Sequence, residues 1–356
     1  MNAGDGIRAG NWRKALFGIA WPAVAVLVIS VAAALSSDFA GPKKRRLSFP
    51  EGWTAPRYDF LKNPPTFEGF ELGRALFYDP ILSRDSSISC SSCHLSFTGF
   101  AHTDHALSHG IEGRIGKRNA PALVNLAWSP VFHWDGGVLH LEQQAINPIM
   151  HPDEMGHSLP DVLRRLNRSS SYRKKFFAAF GDSLIRTETL LKGLAQFTSS
   201  LISANSRYDR YMAGDTAARF SEQEKNGLAL FRQQCASCHP EPLFTGFTFE
   251  NNGLAPDSME PDSGRYLITR KTSDVFRFKV PSLRNVAASF PYMHDGRFRN
   301  LRQVMEHYAG RKIPTSGAGR LSEEYQLGAK EKKDLIAFLL TLSDTDFLRN
   351  RQFQHP

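Results

Sequence analysis

Cys90-Ser91-Ser92-Cys93-His94 and Cys235-Ala236-Ser237-Cys238-His239 are two copies of one pattern, C-x-x-C-H, and together they use all four cysteines of the 356-residue chain. Two thiols at this spacing can add to the two vinyl groups of one porphyrin, while the next residue turns its imidazole onto the iron. Each motif therefore predicts a covalently bound haem c. One is held by Cys90 and Cys93 with His94 as proximal ligand, the other by Cys235 and Cys238 with His239. A zinc site made from both thiol pairs leaves the histidine after each pair unexplained, and a thioredoxin-like redox pair needs a βαβ pattern that the flanking sequence lacks. Two disulfides, the usual reading of four cysteines in an exported chain, do not account for the placement either.

Outward from the motifs the chain repeats itself. Gly73-Arg74-Ala75-Leu76-Phe77 precedes the first motif and Gly227-Leu228-Ala229-Leu230-Phe231 the second, while Phe97-Thr98-Gly99-Phe100 and Phe244-Thr245-Gly246-Phe247 follow them. Pro121-Ala122-Leu123-Val124-Asn125-Leu126-Ala127 matches Pro281-Ser282-Leu283-Arg284-Asn285-Val286-Ala287 at an offset of 160, and Asp135-Gly136 matches Asp295-Gly296 at the same offset. Each half closes on an amphipathic helical stripe, Leu194, Phe197 and Leu201 in the first, Leu335, Phe338 and Leu342 in the second. The expected fold is all-α: two tandem cytochrome c-like domains, each with one haem, joined by a linker over 204–218. At the same offset Trp134 falls opposite His294, and Pro148 opposite Tyr308. If this segment reaches the distal face of each haem, the second is offered a phenol and the first a side chain that cannot ligate. One haem is closed and one is open.

The 44 Lys and Arg outnumber the 35 Asp and Glu, for a formal charge of +9. The basic residues are spread along the chain and interleaved with acids, which reads as a solvated surface and not as a nucleic-acid site. Arg8, Arg13 and Lys14 precede the apolar run Ala15 to Leu35, and small residues follow, the pattern of an export leader. The run also reaches the ~20 residues that a bilayer span needs, so 1–40 is either a signal peptide or a retained anchor. The expected compartment is the periplasm.

The paired motifs, Arg118-Asn119-Ala120-Pro121, Trp134-Asp135-Gly136 and Pro291-Tyr292-Met293-His294-Asp295-Gly296-Arg297-Phe298 together resemble the bacterial dihaem cytochrome c peroxidases and their relative MauG, over nearly the whole exported chain. The neighbourhood Phe100-Ala101-His102-Thr103-Asp104-His105 is most similar to the dihaem enzyme of methanobactin gene clusters, MbnH. The resemblance implies a peroxidatic first haem in an N-terminal domain (47–203) and a second haem in a C-terminal domain (219–346). It makes Trp134 the tryptophan between the haems, and Gln144, Pro148 and Glu154 the glutamine, proline and glutamate of the peroxide pocket. It also implies a calcium ion held by the Asn119 side chain and by the carbonyls of Ser289 and Pro291. Ordinary peroxidases of the family carry a methionine fourteen residues after the histidine of the Pro-Tyr-x-His-x-Gly motif. Here that residue is Tyr308, as in MauG.

Peroxide chemistry needs an open iron, a group that accepts and returns a proton, and a dry pocket. Glu154 is the candidate for the proton and Gln144 for orientation. Thioether favours reduced iron, whereas phenolate is a hard anion that favours oxidised iron, so Tyr308 suits a haem that stores an oxidising equivalent. The alternative leaves Tyr308 in the core with His307 or Met305 near the iron. His133, His140, His151 and His157 read as surface or capping groups, and His294 has no assigned role. By resemblance, hydrogen peroxide forms a bis-ferryl-like state that oxidises a periplasmic partner protein at tryptophan, with kynurenine formed in a copper-binding partner. The competing functions are a peroxidase fed by a small electron-transfer protein and a plain electron carrier.

Overall fold

The computed structural model describes residues 41–256, 261–310 and 327–356. The expected leader over 1–40 lies outside the described residues. Eight helices of six or more residues occur among those described: α1 (Phe67–Tyr78), α2 (Leu159–Arg168), α3 (Ser170–Phe180), α4 (Thr187–Thr198), α5 (Arg207–Met212), α6 (Glu222–Gln234), α7 (Leu301–Tyr308) and α8 (Ala329–Leu340). None is long and apolar enough to cross a membrane. A two-stranded antiparallel ribbon, β1 (Phe249–Glu250) with β2 (Phe278–Lys279), is a small exception to the all-α expectation.

Local sequence starts and stops these helices. Thr66, Ser158, Ser169 and Asn300 each accept a backbone N–H in the first turn of α1, α2, α3 and α7. Ser221 and Glu224 form a reciprocal capping box on α6. Gly181 ends α3 at φ +74°, a left-handed turn that a side chain would disfavour.

The repeated glycines mark the helix crossings. A Cβ on Gly73 of α1 would stand 2.1 Å from the Gly193 carbonyl oxygen of α4, and one on Gly227 of α6 would stand 2.0 Å from the Asp334 carbonyl oxygen of α8. Because the obstacle is backbone in both cases, Gly227→Ala must push α6 off α8. It is expected to cost about 1–3 kcal/mol, as overpacking of a filled core does. Thermal unfolding of the haem-loaded protein checks this, and an unchanged melting temperature would contradict the crossing.

Each crossing carries the same three phenylalanines. Phe77, Phe100 and Phe197 have ring centroids 5.6, 5.1 and 6.1 Å apart for the pairs 77–100, 77–197 and 100–197. Phe231, Phe244 and Phe338 repeat this at 5.5, 5.0 and 6.2 Å. The structure thus pairs Phe100 with Phe244, not with Phe247 as identity of the two Phe-Thr-Gly-Phe tetrapeptides suggests. The ring that fills the crossing decides the equivalence, and Phe97 is left 62% exposed.

The repeated Pro-x-Leu-x-Asn segments also have one job. Asn125 and Asn285 take left-handed backbones (φ +57° and +60°), which asparagine tolerates. Their N–H groups donate to Leu201 O and Leu342 O, and their side-chain oxygens accept from the N–H of Ser203 and of Asp344. Each asparagine pins the chain just after its half's long helix. The expected linker is not a plain loop. It contains α5, whose Asp209 takes both terminal nitrogens of the fully buried Arg284 at 2.7 and 2.8 Å.

The described residues from 42 onward form one compact unit with a hydrophobic cluster in each half, around Leu72, Phe176 and Leu194 in one and around Phe231, Leu335 and Phe338 in the other.

Candidate functional site

The first C-x-x-C-H sequence forms one helical turn, Cys90–Cys93, with His94 at its end. The Nδ1 of His94 donates to the Phe100 carbonyl at 2.7 Å, and that of His239 donates to the Phe244 carbonyl at 3.0 Å. A carbonyl can only accept, so the proton sits on Nδ1 and Nε2 keeps its lone pair, the arrangement a metal-bound imidazole needs. Burial acts in the same direction, pushing His94 down to about 4 and lowering His239. Phe100 and Phe244, which help fill the crossings, therefore also aim the histidines of the two motifs.

None of the four cysteines is in a disulfide, so each pair is available to a porphyrin. Among the described residues no three His, Cys, Asp or Glu side chains are arranged to hold a metal ion, so the thiol pairs do not meet as a zinc site.

A cavity opens beside the second motif. Cys235, Cys238 and His239 line it, as do Met305 and Tyr308 of α7, and Trp134, Asn119, Ser289, Pro291 and His294. His307 instead donates from Nε2 to the Asn252 carbonyl, 3.0 Å away, and packs on Phe298. Of the three α7 side chains considered for the second iron, Tyr308 and Met305 reach the cavity. Three buried acceptors in its lining, both Glu250 oxygens and Gln234 Oε1, have no hydrogen-bond partner, and Lys279 is pushed down to about 8 by burial. With both cysteines, the His239 imidazole and an otherwise largely apolar lining that includes Phe231, Val280, Val286, Leu335 and Leu339, the cavity fits a haem c on Cys235 and Cys238.

Trp134 is buried beside this cavity. Its indole N–H donates to Asn119 O at 2.8 Å, Asn119 N–H donates to His294 O at 2.7 Å, and Lys279 N–H donates to Trp134 O at 2.7 Å. The His294 ring stacks on Phe278 at 3.7 Å, and Arg118, held by Asp135 and Asp262, lies over the same phenyl ring. Residues 118–135 of the first half and 278–294 of the second thus form one hydrogen-bonded seam. Asn119, Ser289 and Pro291, the residues matched to calcium, share the cavity lining.

Glu154 stands apart from this seam, at the first motif. Its carboxyl is raised by burial, and its charge raises the Cys90 and Cys93 thiols. The loop after that motif folds onto it, with Ile111 N–H donating to Glu154 O at 2.8 Å. Gln144 lies in the turn Leu141–Ala145 and Pro148 in the turn Ile146–Met150, where the Pro148 carbonyl accepts from Met155 N–H. Among the described residues the Gln144 side chain makes no hydrogen bond to Glu154.

Several residues escaped the sequence reading. Lys279 was detectable, since it stands 160 residues after Asn119 and so occupies its repeat position. His102, already part of the resemblance, is buried with both ring nitrogens unpaired and stacks on His105, which stacks on His109, and it is this ladder that no spacing rule signals. His157 is buried with its ring on the Leu82 carbonyl at the end of the Pro80–Leu82 turn, the capping arm of its surface-or-capping reading.

A family model described as di-haem cytochrome c peroxidase matches residues 67–217. The methylamine utilization protein MauG of Methylophilus methylotrophus is 33% identical over 323 residues, covering 89% of this chain and 94% of that protein. The cytochrome c551 peroxidase of Nitrosomonas europaea is 32% identical over 284 residues, covering 79% and 81%. Among solved structures, a MauG-like protein associated with microbial copper homeostasis superposes with a TM-score of 0.77 at 33% identity, covering 88% of this chain and 99% of that one.

Proposed function

Because the chain belongs to the di-haem cytochrome c peroxidase/MauG family and is a haem-dependent oxidoreductase acting on peroxide, we propose that it spends the oxidising power of hydrogen peroxide on a partner protein. The observation that carries this reading is Tyr308, which faces the cavity of the second motif together with His239 at the position where ordinary peroxidases of the family have methionine.

Bound haem supplies the peroxide-reactive iron at the first motif and a second iron able to share two oxidising equivalents. The chain's own residues do the rest. Glu154 accepts the peroxide proton in a partly dry setting beside Cys90 and Cys93, and Gln144 and Pro148 shape that pocket. Trp134, fixed through its indole N–H and its carbonyl, relays charge between an N-terminal haem domain (47–203) and a C-terminal one (219–346). A calcium ion at this seam would be held by the Asn119 side chain and the Ser289 and Pro291 carbonyls, whose hard oxygen donors suit it. The likeness to a protein associated with microbial copper homeostasis supports a copper-binding partner, and its oxidation at tryptophan to kynurenine follows from the resemblance to the methanobactin-cluster enzyme.

A second reading, a peroxidase supplied by a small redox protein, is favoured by the relative from Nitrosomonas and by Met305, which lines the same cavity one turn before Tyr308. Stoichiometric peroxide added to the diferric protein separates the two. Mössbauer and optical spectra are expected to show both irons oxidised without an added reductant. Trp134→Phe is expected to leave the first iron reactive and to slow oxidation of the second. Turnover only after one haem has been reduced would establish the second reading instead.

A further inference from the structure

Glu250 is 7% exposed and lines the cavity of the second motif, and neither carboxylate oxygen has a hydrogen-bond partner. The cation closest to it in the fold is Arg277, with Nη1 3.7 Å from Oε2 and also donating to Phe249 O at 3.2 Å. Arg277 is not part of the cavity lining, so the anionic end of this pair is the end that faces the guest. Glu250 shares that lining with Cys235, Cys238 and His239, the residues that would hold the second haem, so the carboxylate stands in the wall of the cavity that this haem would fill. The first motif has its own carboxylate in Glu154, but this one is assigned to the peroxide proton, whereas Glu250 stands at the haem read here as the closed one.

We infer that Glu250 is a potential-setting residue for the second haem, holding it toward the oxidised state. Ferric haem carries one more positive charge than ferrous haem. A fixed negative charge in a site shielded from water therefore stabilises the ferric form and lowers the potential, with an effect larger than the same charge has in bulk water. Arg277 counters this from farther away. The arrangement acts in the same direction as a phenolate ligand, but the inference rests on the haem held by Cys238 and His239 and not on Tyr308.

The test is spectroelectrochemical titration of both haems in the holoprotein, with EPR of the ferric state recording the axial ligands. Glu250→Gln, which keeps the side-chain shape, is expected to favour the ferrous form of the second haem at least tenfold, a rise of 59 mV for a one-electron couple, with the first haem unmoved. Arg277→Gln is expected to shift the same haem the opposite way. Opposite signs distinguish a charge effect from simple opening of the cavity, which would move both variants in one direction. An unchanged second haem in Glu250→Gln, or shifts of the same sign in both variants, would overturn the inference. An EPR spectrum of the wild type without tyrosinate ligation would instead remove the Tyr308 reading and leave the Glu250 result standing on its own.

Discussion

Replacing Tyr308 with methionine is expected to raise the potential of the second haem by hundreds of millivolts, within the roughly 0.8 V that axial ligands span. The phenol oxygen is hard and, once bound, anionic, so it favours ferric iron. The thioether is soft and neutral, so it favours ferrous iron. Tyr308 closes α7 with its side chain in the cavity lining, and Met305 lies one turn earlier on the same face. Spectroelectrochemistry of Tyr308→Met measures the shift. The variant is also expected to lose oxidation of the second iron by peroxide and to need prior reduction. A potential that does not move would assign the ligand to Met305, and Met305→Leu would then show the change.

The second large effect is expected at Glu154. Glu154→Gln keeps the size of the side chain but cannot accept a proton, and removal of a positioned general base typically costs 10²- to 10⁴-fold in rate. The ionised carboxylate is the active form, so the rate falls as pH drops through its pKa. Burial raises that pKa, which places the acid limb of the wild-type profile above the ordinary glutamate range near ~4.3, and the variant should lack that limb. Stopped-flow peroxide reaction of the diferric protein across pH measures both. A Glu154→Gln rate equal to wild type would return the proton to another group, and the buried His102, unpaired beside His105, would be the next to test.

Much of this was legible along the chain because the relevant constraints are local or repeated. Two thiols and a histidine within five residues must meet one porphyrin, and an offset of 160 matches Asn125 with Asn285 because both must enter the left-handed region to pin a helix end. The glycines at 73 and 227 repeat because each is the only residue that lets two helix backbones touch. Where identity and packing disagreed, packing won. The two Phe-Thr-Gly-Phe tetrapeptides are alike in letters, yet the buried rings are Phe100 and Phe244, since a ring is equivalent when it fills the same hole.

By itself the sequence determined the attachment chemistry, the two-fold repetition, the helical character and the tyrosine that stands where a methionine was expected. Each of these depends on residue type and short spacing, which survive without coordinates. Only the tertiary structure decided that residues 118–135 and 278–294 knit into one seam at Trp134, that the 204–218 segment carries a helix anchoring buried Arg284, and that Glu250 faces the second cavity while Arg277 stands behind it. These features join residues from 27 positions apart, for Glu250 and Arg277, to 175 apart, for Asn119 and His294. Burial, stacking and the electrostatics of a shielded carboxylate depend on distance in space, and separation along the chain does not encode it.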